Sequence, residues 1–249
     1  MMREELVFGP IFSRRLGSSL GINVLPEKGK ICNFDCIYCE CGWNKDGRGD
    51  TRLPVAAELR EALAAKLTEC LEEGTPIDSI TFSGDGEPTL NPDFPQMVGD
   101  VIRLRDLYYP SAKVSVLTNA TRLGRKEVFD ALRKVDNPIL KLDAVSTADA
   151  KKINRPQGRY STDAVIRNME KFKGDFVLQT MFLRSPDFDS ADTVGEWMDI
   201  VRSLRPREVM VYTIDRETPA QGLQKYTAEQ MRELVLPLIE EGFNIQIKG

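Results

Sequence analysis

The chain contains no histidine. That removes the side chain most used as a general base near neutral pH and the commonest zinc ligand, so any catalysis must rest on other chemistry. It also lacks an apolar run long enough to cross a bilayer. Its first residues, MMREELVFGP, carry charge where a signal peptide would hold an apolar stretch. Neither a membrane span nor export is expected, and a cytoplasmic address follows. A basic block is missing too: 34 Lys and Arg stand against 38 Asp and Glu, a formal net charge of -4, and the basic residues are spread along the chain. Tight nonspecific binding to nucleic acid is therefore not the expectation, although a nucleic-acid partner stays open. No low-complexity tract and no Ser/Gly/Pro-rich linker divides the sequence, so residues 1–249 are expected to be one domain with no separate C-terminal domain. Cysteine is scarce, but four of the five lie between Cys32 and Cys41. An odd, clustered set is unlike the paired spacing of a secreted disulfide scaffold, and in a reducing compartment it points to metal.

Short apolar, β-branched runs alternate with longer helical patterns, the signature of βα units and a mostly parallel sheet. Strands are expected at 19–25, 77–83, 113–118, 138–143, 176–183 and 208–214, with a last extended run at 244–248. Helices are expected at 55–73, where Gly74 supplies a stop, and at 94–107, 125–134, 163–172, 191–204 and 228–241. Six βα units fall short of the eight that close a full barrel. The expected fold is α/β, a partial (β/α)6 TIM-type barrel open on one side. In such folds the chemistry sits at the C-terminal ends of the strands.

The loop after the first of these strands, residues 30–42, reads ICNFDCIYCECGW from Ile31 and spaces Cys32, Cys36 and Cys39 as CxxxCxxC. Four thiolates would saturate a 4Fe-4S cluster, whereas three leave one iron open to a small molecule. Only Glu40 separates Cys41 from Cys39, a short bite for reaching different irons, so Cys41 is left out of the ligand set. Cys70, among Leu67 and Leu71 in a helical pattern, reads as a small buried residue.

With Tyr38 before the last cysteine, this loop resembles the cluster motif of the radical S-adenosylmethionine (SAM) superfamily. Within it the sequence is similar to the iron-sulfur oxidoreductases that include the tRNA wyosine-base (4-demethylwyosine) synthases. The resemblance rests on FGPIFSRRLGSSLGINVLP, SGDGEPTL, LTNA, KLDA, INRP and YTIDRETP, from about Phe8 to Pro219. It implies the radical SAM fold, one 4Fe-4S cluster on Cys32, Cys36 and Cys39, and S-adenosylmethionine held by its amino and carboxylate groups on the open iron. Reductive cleavage then gives methionine and a 5'-deoxyadenosyl radical that takes hydrogen from a substrate. It implies as well an external electron donor of the flavodoxin or ferredoxin type.

In GDGEPT the resemblance has Gly86 admit a close backbone and Glu87 receive the ammonium of S-adenosylmethionine; Asp85 stands where the family often has a further glycine. Asn119, Lys141 and Asp143 match positions near the ribose and carboxylate, with an ordinary ion pair as the plain alternative for the last two. Arg155 is a candidate partner for a carboxylate and Tyr212 for the adenine face. Arg14 and Arg15 match the family stretch without an assigned role.

Other readings stand beside this one. A wyosine-type tRNA enzyme would carry further cysteines upstream, and none precedes Cys32. A glycyl-radical activase shares the small size and single cluster but has a different N-terminal pattern. A non-enzymatic iron-sulfur carrier predicts four cysteine ligands on a small fold. A zinc knot on Cys32, Cys36, Cys39 and Cys41 would usually draw its ligands as two separated pairs. The open side of a six-unit barrel leads to the expectation of a bulky substrate or a partner protein covering it.

Overall fold

The computed structural model describes residues 5–13, 16–47 and 49–249; Arg14 and Arg15 lie outside them. Two compact units divide the chain. One is built on residues up to Cys32, Asn44–Thr118 and Gly124–Pro138, the other on Asn33–Trp43, Asn119–Leu123 and Ile139–Gly249.

The first unit holds β1 (Val7–Ser13), β2 (Gly17–Ile22), α1 (Ala56–Glu72), β3 (Ser79–Phe82), α2 (Phe94–Tyr108), β4 (Lys113–Thr118) and α3 (Lys126–Leu132). β2, β3 and β4 pair in parallel, with Leu20 beside Ile80 and Ile80 beside Val114. Alternation sorts their side chains into two faces. Leu20, Ile22, Ile80, Phe82, Val114 and Val116 are all fully buried. The other set is a hydroxyl ladder in which Ser19 meets Thr81 at 2.8 Å, Thr81 meets Ser79 at 3.0 Å and Ser79 meets Ser115 at 2.9 Å. Each hydroxyl can donate and accept, so these polar groups are buried without being left unpaired. In α1, Leu59, Leu63, Leu67 and Cys70 recur at helical spacing and are fully buried. Each leucine contributes about 1.5–3 kcal/mol relative to exposure.

β1 was not anticipated. It pairs antiparallel with β2, and its Gly9 and Pro10 hide a strand from a reading of propensities. Proline costs a ladder bond and is confined to strands at a sheet's edge, which is where β1 lies.

The second unit follows with β5 (Asn137–Lys141), α4 (Thr147–Ile153), α5 (Thr162–Glu170), β6 (Val177–Met181), β7 (Leu183–Ser185), β8 (Phe188–Asp189), α6 (Val194–Leu204), β9 (Glu208–Tyr212), β10 (Gln224–Lys225), α7 (Ala228–Glu240) and β11 (Ile245–Lys248). β5, β6, β9 and β11 are parallel neighbours in that order. The sheet runs β1-β2-β3-β4-β5-β6-β9-β11, and β10-β7-β8 form a small separate sheet. The expected strand over 176–183 ends at Met181, and β7 begins at Leu183 in the small sheet. Beneath the strand ends, Ile37, Tyr38, Ala144, Ala150, Ile153, Met181, Leu183 and Phe188 form one apolar cluster. It seats the cysteine loop against α4 and β6.

Candidate functional site

In the first unit β3 ends at Phe82 and the chain turns through Ser83, Gly84, Asp85 and Gly86 to Glu87. Gly86 has φ +138°, and a Cβ there would stand 2.0 Å from the Ile31 carbonyl oxygen. The Ile31 N–H donates to the Asp85 carbonyl at 3.3 Å, and the Glu87 N–H donates to the Ile31 carbonyl at 3.0 Å. The turn is thus stitched to the residue before Cys32, an approach only glycine permits. Asp85 is fully buried and is not among the residues of positive φ; its N–H donates to Asn23 Oδ1 at 3.2 Å. The backbone therefore requires no glycine at that position.

Glu87 is buried, and its Oε1 accepts three bonds: from Thr89 N at 3.1 Å, Thr89 Oγ1 at 2.6 Å and Thr118 Oγ1 at 2.7 Å. Thr118 is the last residue of β4 and Thr89 lies in the short 3-10 turn Pro88–Leu90, so a strand end and a turn together orient one carboxylate. A carboxylate held this way loses little further freedom on meeting a cation.

The second unit brings Cys36, Tyr38, Lys141, Asp143 and Tyr212 together. Tyr38 donates its hydroxyl to Asp143 Oδ2, and Lys141 donates to the Tyr212 hydroxyl. Lys141 Nζ also lies 3.3 Å from Tyr38 Oη, 3.5 Å from Asp143 Oδ2, and 5.2 and 5.0 Å from the Tyr38 and Tyr212 ring centroids. Asp143 Oδ1 accepts the Met181 N–H at 2.9 Å. The Asp143 side chain is wholly buried and that of Lys141 is 18% exposed. For the Lys141 amine burial favours the neutral form, yet the Asp143 charge with Tyr212 and Cys36 outweighs it and the amine sits above its ordinary range. Burial, with the charge of Asp143 next, pushes Tyr38 well above its ordinary value. Burial also pushes the Cys36 thiol up to about 11, with Lys141 pulling it down. The result is a cationic lysine compensated by one carboxylate and framed by two tyrosines.

Asn119 is engaged by its own loop: its amide donates to Asn33 Oδ1 at 2.8 Å, and its oxygen accepts from Thr121 N at 3.1 Å and Thr121 Oγ1 at 2.7 Å. Asn33 in turn donates to Thr121 Oγ1 at 2.6 Å, which fixes the residue after Cys32. Arg155 takes φ +46° and lays its guanidinium 4.9 Å from the Trp43 ring centroid. A non-glycine residue in that region is held there by its surroundings.

Reading the sequence missed Thr89, Thr118, Asn33 and Asn154 as contributors. Thr118 and Asn154 sit in the stretches LTNA and INRP, beside residues that were singled out. The amide of Asn154 lies 3.4 Å from Cys36 Sγ, 3.0 Å from Tyr38 Oη and 2.8 Å from Asp143 Oδ2.

Cys32, Cys36, Cys39 and Cys41 are half-buried and in no disulfide, and Cys70 is buried in α1. Among the described residues no three His, Cys, Asp or Glu side chains converge as ligands of one metal ion. An iron-sulfur cubane makes no such demand, because each thiolate takes a different iron. An all-thiol donor set of this spacing suits that group.

A model of the radical SAM superfamily matches residues 27–182, a span that holds the cysteine loop, Glu87, Asn119, Lys141, Asp143 and Arg155 but not Tyr212. The chain belongs to the radical SAM superfamily. Among curated proteins, the GTPase Obg of Brachyspira hyodysenteriae is 30% identical over 236 residues, 93% of this chain but 33% of that protein. A UPF0026 protein of Synechocystis sp. is 31% identical over 222 residues, covering 86% of this chain and 77% of that one. The chain thus spans a third of one relative's length and about three quarters of the other's. A radical SAM methyltransferase from Sphaerobacter thermophilus shares the fold with TM-score 0.70 at 16% identity, over 95% of this chain and 67% of that one. Streptococcus suis SuiB bound to S-adenosylmethionine does so with TM-score 0.65 at 16% identity, over 89% and 49%. The fold class is the expected one, an α/β partial (β/α)6 TIM-type barrel. Among the described residues no helix is long and apolar enough to cross a membrane.

Proposed function

We propose that residues 1–249 are a single radical SAM domain that holds one 4Fe-4S cluster on Cys32, Cys36 and Cys39 and uses it to cleave S-adenosylmethionine reductively. The observation that carries this reading is the CxxxCxxC set of half-buried thiols inside the span that matches the superfamily. When bound, the cluster would supply an electron to the sulfonium and leave one iron for the amino and carboxylate groups of S-adenosylmethionine, so that a 5'-deoxyadenosyl radical takes hydrogen from the substrate. Glu87, held by Thr89 and Thr118, receives the ammonium. Gly86 lets the turn close on Ile31. Asn119, Lys141 and Asp143 serve the ribose and carboxylate, Arg155 pairs with a carboxylate, Tyr212 flanks the adenine, and Tyr38 belongs to the cofactor site. Turnover draws on an external flavodoxin- or ferredoxin-type donor, and the substrate, or a partner protein presenting it, is bulky.

Anaerobic reconstitution tests the cluster. Close to four iron and four sulfide per chain are expected, lost in Cys32→Ala, Cys36→Ala and Cys39→Ala and kept in Cys41→Ala and Cys70→Ala. Loss in Cys41→Ala with retention in Cys39→Ala would overturn the ligand set. Stoichiometric zinc without iron would favour a zinc knot.

A further inference from the structure

Asn154 closes α4, its N–H bonded to the Ala150 carbonyl at 2.8 Å, and its side chain is buried. The adjoining backbone grips the cysteine loop on both sides of Cys36. The Asp35 N–H donates to the Asn154 carbonyl and the Ile37 N–H to the Ile153 carbonyl, each at 2.9 Å. Two backbone bonds that bracket one cysteine fix where the Asn154 amide falls relative to that sulfur. The position is therefore set by the fold and not by a rotamer alone.

The amide offers two N–H groups to three acceptors: Cys36 Sγ, Tyr38 Oη and Asp143 Oδ2. Counting donors decides among them. The Tyr38 hydroxyl spends its proton on Asp143, and its oxygen has a second donor in Lys141 at 3.3 Å. The shortest bond from the amide, 2.8 Å, goes to Asp143. That leaves the second N–H for the sulfur, at 3.4 Å, an ordinary separation for N–H to sulfur.

On the reading that Cys36 is a cluster ligand, we infer that Asn154 is a positioning residue that donates an N–H to S hydrogen bond to Cys36 while anchoring its other N–H on Asp143. Hydrogen bonds to ligand sulfurs are among the levers that set iron-sulfur potentials. A donor at the thiolate favours the more negative, reduced state and so raises the midpoint potential. Partners one step beyond a metal's ligands orient them in the same way. The chain Cys36–Asn154–Asp143–Lys141 then ties the electron-transfer ligand to the polar group at the end of β5.

The test compares wild type with Asn154→Leu, a side chain of similar size with no donor, both reconstituted anaerobically. Iron and sulfide are counted, and the midpoint potential is read by a redox titration followed by EPR. The expected result is retained iron with a potential shifted to more negative values. An unchanged potential with full iron would overturn the inference, since a merely space-filling asparagine predicts that outcome. Where the variant fails to fold or hold iron, the wild type answers. Pulsed EPR of its reduced cluster, with asparagine side-chain amides labelled with 15N, should show a nitrogen coupling, and its absence would sink the bond. A wild type without any 4Fe-4S cluster would instead refute the proposed function, so the two failures are distinguishable.

Discussion

The Glu87 carboxylate and the Lys141–Asp143 pair are buried charges of different kinds, and the difference dictates how each responds to mutation. Glu87 is oriented by three neutral donors, and on the proposed reading it receives the ammonium of S-adenosylmethionine. Glu87→Ala should therefore leave iron content intact and raise the dissociation constant for S-adenosylmethionine by about tenfold or more, the loss of a charge-assisted bond worth a few kcal/mol. Thr118→Val, which removes one of the three donors, should weaken binding by a smaller factor, on the order of 1 kcal/mol. Titrations of S-adenosylmethionine beside iron analysis would check both; unchanged affinity in Glu87→Ala would return the turn to a purely structural role. Asp143 already has its cation in Lys141. Lys141→Met strands a buried carboxylate and should cost about 3–5 kcal/mol, read as a lower unfolding midpoint in denaturant. The double variant Lys141→Met/Asp143→Asn should recover part of that loss. If the two single changes simply added, the pair would not be coupled.

At the scale of elements, β4 was legible to the residue because Lys113–Thr118 is a short β-branched run with clear ends. β1 was not, since Gly9 and Pro10 speak against a strand until the edge position is known. α4 was not anticipated either; it is a short helix started by the Ser146 cap, whose hydroxyl accepts the Asp149 N–H at 3.0 Å. The site shows the same divide. Cys32, Cys36, Cys39 and GDGEPT announce themselves by residue type and spacing, whereas Asn154 and Thr118 matter only through what the fold sets beside them. Strand ends also carry a stability liability. Glu208 opens β9 at the end opposite the cysteine loop, and its Oε1 is buried without a hydrogen-bond partner among the described residues. Burial raises its pKa above the ordinary value, with Arg207 pulling the other way. A carboxyl raised on folding adds stability in its protonated form below the unfolded value, near 4.3, and gives that up as pH climbs through the folded value. Glu208→Gln should therefore raise stability at pH 7, read as a higher unfolding midpoint, with the advantage vanishing near pH 4. A variant equally stabilised at both pH values would show that ionisation is not the cause.

At the scale of the whole molecule the strand count bears on what the enzyme acts upon. The sheet begins at β1 and ends at β11, and a closed barrel of eight βα units would have neither edge. A carbon-centred radical exposed to loose side chains or dissolved C–H and S–H donors takes hydrogen from the wrong partner, so enclosing it is part of the chemistry. Within residues 1–249 the stretch after β9 supplies β10, α7 and β11, and α7 and β11 continue the βα pattern instead of forming a lid. On the reading proposed above, a bulky substrate or the protein that presents it contributes cover there. Substrate-free enzyme should then cleave S-adenosylmethionine slowly and to no product, whereas the true substrate should raise the rate and bring 5'-deoxyadenosine and product toward one-to-one. In deuterium exchange, backbone amides of the loops at 154–157 and 213–223 should become protected when that substrate is added. The second loop already reaches the cysteine loop, where the Ala220 N–H donates to the Ile37 carbonyl at 3.2 Å and Arg216 pairs with Glu40 at 3.1 Å. Its protection should therefore be the larger change, because an exposed ion pair adds little rigidity on its own. Tight coupling with a small metabolite, and no added protection in either loop, would defeat the expectation of a bulky partner.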